Sequence, residues 1–160
     1  MPVIEDGPIR QIDDKFAEFI CEHQDIYPRE MHEDLTTFQG LLKSGWSWGY
    51  FIDGQLVGWI LFVPETPTMV YCYDVGVLRE FQRVGIMKRL AKTAYRHLRW
   101  KGLAIRMHCR FASYPNPGFL FRCGYRIAVD RLIPNHYGKV YQSESLVEDA
   151  HELVLKPIGQ

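Results

Sequence analysis

The sequence predicts a mixed α/β domain, and three observations carry that prediction. Apolar residues recur at helical spacing in two N-terminal stretches. The period then changes to short runs rich in aromatic and β-branched residues, and a long basic helix divides these runs from later strands. A chain of 160 residues is read as one domain, 1–160, with room for a sizeable core.

The elements follow in order. Residues 8–23 place Ile9, Ile12, Phe16, Phe19 and Ile20 at helical spacing, and residues 28–43 do so through Met31, Leu35, Phe38 and Leu42. Pro28 suits a first helical turn. The runs "WSWGYFI", "QLVGWILFV" and "TMVYCYDVGV" then read as three strands, with Asp53-Gly54 as a hairpin turn between the first two. Gly85 to Lys101 reads as a helix whose apolar stripe is Met87, Leu90, Ala91, Ala94 and Leu98, ended by Gly102. "LAIRMHC" is a further strand, "NPGFLFRCG" a short helix limited by Pro117, and "YRIAVDRLI" and "ELVLKPI" late strands.

Composition excludes several classes. The start "MPVIEDGPIRQIDD" has neither a basic n-region nor an apolar h-region, so no signal peptide is expected. The longest apolar run is too short to span a bilayer, and no membrane partner is expected. Cys21, Cys72, Cys109 and Cys123 form no C-x-x-C pair, which argues against a disulfide framework or a zinc site and for a reducing, cytoplasmic setting. The histidines have no metal-ligand spacing, so no metal is expected. Net charge is zero, but unevenly spread. Residues 1–60 carry 11 acidic and 4 basic side chains, whereas 79–110 carry 10 basic ones and only Glu80 as an acid. That asymmetry points to an anion handled by the middle of the chain.

The stretch "DVGVLREFQRVGIMKRL" gives the anion a place. A strand, a tight turn and a helix opening at glycine bind phosphate, because the first helical amides have no intrahelical acceptor and face the positive end of the dipole. Gly85 permits close backbone approach, and Arg83 and Lys88 add charge. The stretch resembles the acetyl-CoA signature of the GNAT superfamily of N-acetyltransferases, Q/R-x-x-G-x-G/A, with Gln82, Gly85 and Met87 on its three motif positions. The downstream "FLFRCGYRI" is similar to the family's "FYxKxGF" segment, and the resemblance covers roughly residues 45–135. It implies a central sheet of about six or seven strands flanked by about four helices. It also implies acetyl-CoA as co-substrate. The pantetheine arm would lie on the backbone of Val75, Gly76 and Val77, and the pyrophosphate on the loop Gln82, Arg83, Val84, Gly85, Ile86, Met87 and Lys88. Backbone amides after Val77 would polarise the thioester carbonyl. Met87 replaces a small residue, so its side chain is expected to turn into the core.

One departure touches catalysis. The family's usual tyrosine acid falls on Leu120, and its usual asparagine on Ser113. Leucine cannot protonate a thiolate, so another group or water must do so, or the thiolate leaves unaided. Tyr114, in the loop where the thiol end of CoA would lie, is the nearest substitute, and Ser113 beside it is a cofactor contact. An amine acceptor must lose a proton, so a base or water chain is expected on the strand before the loop. Asp74 is the only carboxylate there, although it could equally be a solvated strand-end residue. Tyr73 and Tyr71 share a face and read either as packing or as chemistry. Cys72 reads better as a small buried hydrophobe than as an acyl carrier. His108 shares a face with Arg106 and Arg110, and a structural role suits it.

The reading implied is an N-acetyltransferase acting by direct attack of an amine in a ternary complex. Its alternative is a GNAT-fold CoA-binding or interaction module without catalysis. The acceptor is a small-molecule amine, a protein lysine or an N-terminus, drawn by the acidic N-terminal helices if their charge is not simply solvated. The basic stretch lacks interleaved aromatics, which disfavours nucleic acid, and a homodimer is compatible with the sequence.

Overall fold

The computed structural model describes residues 7–27, 32–110, 113–133 and 150–159. They form a seven-stranded sheet in the order β1-β2-β3-β4-β5-β7-β6. The strands are β1 Ile9–Gln11, β2 Ser47–Ile52, β3 Gln55–Thr66, β4 Met69–Val77, β5 Ala104–Arg110, β6 Tyr125–Ile133 and β7 Ala150–Pro157. The helices are α1 Ala17–Glu22, α2 Leu35–Leu42, α3 Ile86–Trp100 and α4 Pro117–Arg122. Among the described residues only β4 and β5 pair in parallel, so the sheet is mixed and the α/β expectation holds. No described helix is long and apolar enough to cross a membrane.

The N-terminus corrects the first helical reading. Instead of a helix over 8–23 the chain forms β1, a 3₁₀ turn at Asp14–Phe16 and only then α1. Ile9 pairs with Tyr50, and the Phe51 amide donates to the Pro8 carbonyl at 2.8 Å. The free edge of β2 offers ladder hydrogen bonds, and Ile9 and Ile12 can be buried from a strand as well as from a helix. The second helix is shorter than 28–43. Asp34 Oδ1 accepts from the Thr37 amide at 2.8 Å and starts α2 at Leu35; Pro28 and Met31 lie outside the described residues.

The hairpin expectation is met: Asp53 and Gly54 both have positive φ (49° and 79°) and join the Ile52–Gln55 pair, as a twisted two-residue turn requires. Helix α3 packs on one face of the sheet, face B. A Cβ at Gly58 would stand 3.0 Å from Ile86 and 3.3 Å from Leu90, and Trp48 and Phe62 meet His97 and Tyr95 there. Alternation turns Trp59 to the opposite face, face A, where its indole N–H meets Tyr27. The buried stripe of α3 opens at Ile86, with Leu90, Ala94 and Leu98. Met87 is therefore not its first member, as the sequence suggested, but stands half-buried beside it.

Two features of β4 position the cleft at its end. Leu61 pairs with Asp74 but Phe62 with Cys72, so Tyr73 is an extra, bulged residue. And β4 pairs with β5 only at Met69–Ala104, Val70–Ile105 and Tyr71–Arg106. Beyond Tyr71 the two strands part, β5 continuing against β7 to Arg110.

Leu120 is 1% exposed in the core under α4, with Asn116 capping that helix. Leu120→Ala should therefore cost about 2–5 kcal/mol, the range for a buried leucine, measured by urea unfolding.

Candidate functional site

Where β4 leaves β5, a cleft of about 450 Å³ opens. Its walls are Ile26 and Tyr27, the end of β4 from Val75 to Val77, and the loop residues Phe81 to Arg83 and Gly85 to Lys88. The Leu78 amide donates to the Val57 carbonyl at 2.9 Å, which fixes the phase of the β3–β4 ladder. Val75 and Val77 then direct their backbone groups away from β3, towards the open edge. Both carbonyls there are already taken: Val75 O accepts from the Tyr27 hydroxyl at 2.8 Å, and Val77 O from Gln82 Nε2 at 2.9 Å. The Val77 amide is left directed at the cleft. The amide after it belongs to the ladder, so the expectation that amides following Val77 serve the site is corrected by one residue.

The loop reverses through two left-handed residues, Arg83 (φ 66°) and Gly85 (φ 86°). A side chain at Gly85 would enter open space, so the backbone itself faces the cleft. The first intrahelical bond is Arg89 N to Gly85 O. The amides of Gly85, Ile86, Met87 and Lys88 therefore have no helical acceptor and sit at the positive end of a 15-residue helix. Arg83, Met87 and Lys88 line the same cleft, with the Lys88 ammonium 5.8 Å from the Phe119 ring centre. Val84 is 71% exposed and is not part of the lining. Much of the remaining positive charge is committed elsewhere: Arg79 to Asp25, Arg89 to Tyr50, Arg99 to the Ile158 carbonyl and Arg106 to Glu65. What is left at the cleft suits a pyrophosphate, and the open cradle of unpaired amides fits CoA.

The bulge decides which side chains meet. Strict alternation would put Asp74 opposite Tyr73; the extra residue turns both towards face A, with Tyr71 and Gly76. Tyr73 donates to Glu33 Oε1 at 2.8 Å. Tyr71 lies under the Arg106 guanidinium, 4.3 Å from it, and beside the His108 ring. Burial pushes the Asp74 carboxyl up to about 7, opposed by hydrogen bonding from Tyr27 and the Val75 amide and reinforced by the charge of Glu33. A carboxyl that titrates there can exchange a proton near neutral pH. Burial above all, with the Asp74 and Glu33 charges, holds Tyr27 and Tyr73 in the phenol form. Cys72 points the other way, and burial pushes its thiol up to about 12, which removes it as a nucleophile.

Ser113 and Tyr114 are not brought to this cleft. Tyr114 donates to Asp130 Oδ2 at 2.7 Å, and Asp130 also meets His151 Nδ1 at 2.7 Å. His151 pairs with Cys109, while Glu152 pairs with His108 on the Tyr71 side. The Tyr114 group thus lies on face B, across the sheet from Asp74. His108 meets Arg106 and Glu152, and Arg131 completes that charged group. The side chain of Arg110 is outside the described set.

Three residues of the site were not singled out from the sequence. Gln24, buried, clamps Glu33 by donating to its carbonyl at 2.8 Å and accepting from its amide at 2.7 Å. Glu33 is thereby set above Tyr73. Tyr27 comes from the segment after α1. The available signal was Gly76, a glycine inside a strand, which marks a close approach: a Cβ there would collide with the Tyr27 hydroxyl and stand 2.6 Å from Ile26.

Comparison with known proteins agrees with this geometry. No curated protein sequence matches the chain. Solved structures do. The ribosomal-protein-S18-alanine N-acetyltransferase from Escherichia coli is 12% identical, with a TM-score of 0.70 over 95% of this chain and 94% of that one. Diaminobutyrate acetyltransferase EctA from Paenibacillus lautus, in complex with L-2,4-diaminobutyric acid and coenzyme A, is 13% identical, with a TM-score of 0.68 over 95% of each chain. Arabidopsis thaliana NAA60 in complex with acetyl-CoA is 18% identical, with a TM-score of 0.62 over 91% of this chain and 96% of that one. At such identities the likeness is one of fold. The family model for the acetyltransferase (GNAT) family matches residues 12–125, which is most of the chain. With this match the chain belongs to the GNAT acetyltransferase family, and the glycine turn into α3 and the parting of β4 from β5 fall within the matched residues.

Proposed function

We propose that the chain transfers an acetyl group from acetyl-CoA to a primary amine by direct attack in a ternary complex. One observation carries the reading. A carboxyl that titrates near 7 stands three residues before the Val77 amide, on a strand that opens into a cradle of unpaired helix amides. Arg83, Gly85, Ile86, Met87 and Lys88 would hold the pyrophosphate through their amides and nearby charge, with Gln82 fixing the loop to the strand. The edge of Val75, Gly76 and Val77 would align the pantetheine arm, and the Val77 amide would polarise the thioester carbonyl. Acetyl-CoA supplies the activated acetyl carbon that the amine nitrogen attacks.

Asp74 serves as the base. It takes the proton that the attacking amine releases, directly or through one water, from the face that Tyr71, Tyr73 and Glu33 share. Tyr73 shapes that face rather than donating a proton, since its hydroxyl is bound to Glu33. Tyr114 is replaced in the acid role by water: a thiol of ordinary pKa, about 8.5, is a tolerable leaving group without a dedicated acid. Leu120, buried in the core, is then no impediment. A small amine, a protein lysine and an N-terminus all present the required nucleophile, and Glu33 and Asp74 would attract it as an ammonium ion.

Two experiments test this. Calorimetry should show CoA and acetyl-CoA binding, weakened about tenfold by Gly85→Ala, because an L side chain in the left-handed region costs about 1–2 kcal/mol. Asp74→Asn should lower kcat by about 10²-fold or more, with CoA affinity kept. It should also stabilise the fold. The Asp74 carboxyl holds its proton to about 7 when folded against 3.8 when not. Its contribution to folding is therefore complete at low pH and is lost as pH rises from 3.8 to about 7. The gain in Tm from Asp74→Asn should be larger at pH 8 than at pH 5, by differential scanning calorimetry; the reverse order would contradict the assignment.

A further inference from the structure

The hydroxyl of Tyr27 is the most heavily used side-chain atom at the cleft. It accepts from the Trp59 indole N–H at 3.1 Å and donates to the Val75 carbonyl at 2.8 Å, and it stands over Gly76, two residues along the same face of β4 from Asp74, whose carboxyl it neighbours. Gly76, paired with Trp59, leaves room for no side chain, because the Tyr27 hydroxyl, Ile26 and the Trp59 ring fill that space. The same carbonyl would otherwise be a bare acceptor on the edge that β4 shows after leaving β5. Trp59 is fully buried, so the indole is a fixed post.

We propose that Tyr27 is the positioning residue for Asp74: its hydroxyl, seated on the Trp59 indole, ties the Val75 carbonyl to the segment after α1, stands within reach of the neighbouring carboxyl on the same face, and so sets where the base stands. The inference rests on the reading of Asp74 as the base. A phenol has one proton for two acceptors. With Asp74 ionised, the charge-assisted bond to the carboxylate is the stronger one; with Asp74 protonated, the bond to Val75 O remains. Tyr27 therefore favours the ionised form and keeps the carboxyl available as a base at neutral pH instead of leaving it a permanent acid. The other groups facing Asp74 among the described residues are Glu33, from the segment before α2, which opposes ionisation, and the Val75 amide, which favours it. Tyr73, its neighbour on the strand, is committed to Glu33, and Cys72, facing the other way, stays a neutral thiol.

The test uses the whole chain without ligand and needs no acceptor. The side-chain carboxyl carbon of Asp74, assigned by its loss in Asp74→Asn, is followed by NMR across a pH titration in wild type and Tyr27→Phe. The wild-type midpoint should lie near 7, and Tyr27→Phe should raise it by about one pKa unit, a tenfold change in the proton equilibrium. A midpoint unchanged by Tyr27→Phe overturns the inference while leaving Asp74 as the base. A wild-type midpoint in the ordinary carboxylate range overturns the base reading and this inference together. Should Tyr27→Phe fail to fold, a ring-fluorinated tyrosine at position 27, a stronger donor, should lower the midpoint; a rise or no change would overturn the inference. A purely structural tyrosine would alter stability in either variant and move neither midpoint.

Discussion

Strand β4 must stay bonded to β3 while it lets go of β5, and everything at the site depends on that constraint. After Tyr71 the two parallel strands part, and the edge so exposed would be a row of bare amides and carbonyls. The chain manages it from both sides. Tyr27 caps the Val75 carbonyl, Gln82 caps the Val77 carbonyl, and the Val77 amide is left directed at the cleft. The loop after β4 turns through Arg83 and Gly85 so that the next amides on offer belong to α3. One strand end thus brings a directed donor and a set of helix-terminal amides to one cleft, with the Asp74 carboxyl on the strand just before it.

The bulge at Tyr73 is the second half of the same constraint. It adds one residue, and so moves Asp74 onto the face that holds Tyr27, Tyr73 and Glu33. On that face the carboxyl is desolvated and lies near another carboxylate, both of which oppose its ionisation. If Asp74 is the base proposed above, function and stability pull apart at this position: the environment that raises the carboxyl towards neutrality is one in which its charge is costly. The cost is tolerated because Tyr27 and the Val75 amide offset part of it.

The local features were legible in the sequence because local rules govern them. Asp53-Gly54 makes its hairpin, Gly85 opens α3, and Asn116 with Pro117 starts α4. The turn from β4 into α3 was legible for the same reason, since consecutive residues around Gly85 decide it. The failures are all non-local. Strand β1 looked helical because Ile9, Ile12 and Phe16 fit either period, and only the waiting edge of β2 decides between them. The surroundings of Tyr114 were equally hidden, since the sequence shows only that it follows β5. Which face it takes depends on the pairing of β5 with β7, and that sets it against Asp130. Tyr27 and Glu33 lie about fifty and forty residues from β4 in sequence, and nothing short-range links them to it.

A crystal structure of the full chain with CoA bound would test the account most directly. It should show the pyrophosphate oxygens at about 3 Å from the amides of Gly85 to Lys88, the ordinary hydrogen-bond distance. The sulfur should lie at the open edge of β4 beside the Val77 amide, on a path that Asp74 can reach from face A. A pyrophosphate bound elsewhere, or a sulfur separated from Asp74 by the sheet, would contradict it.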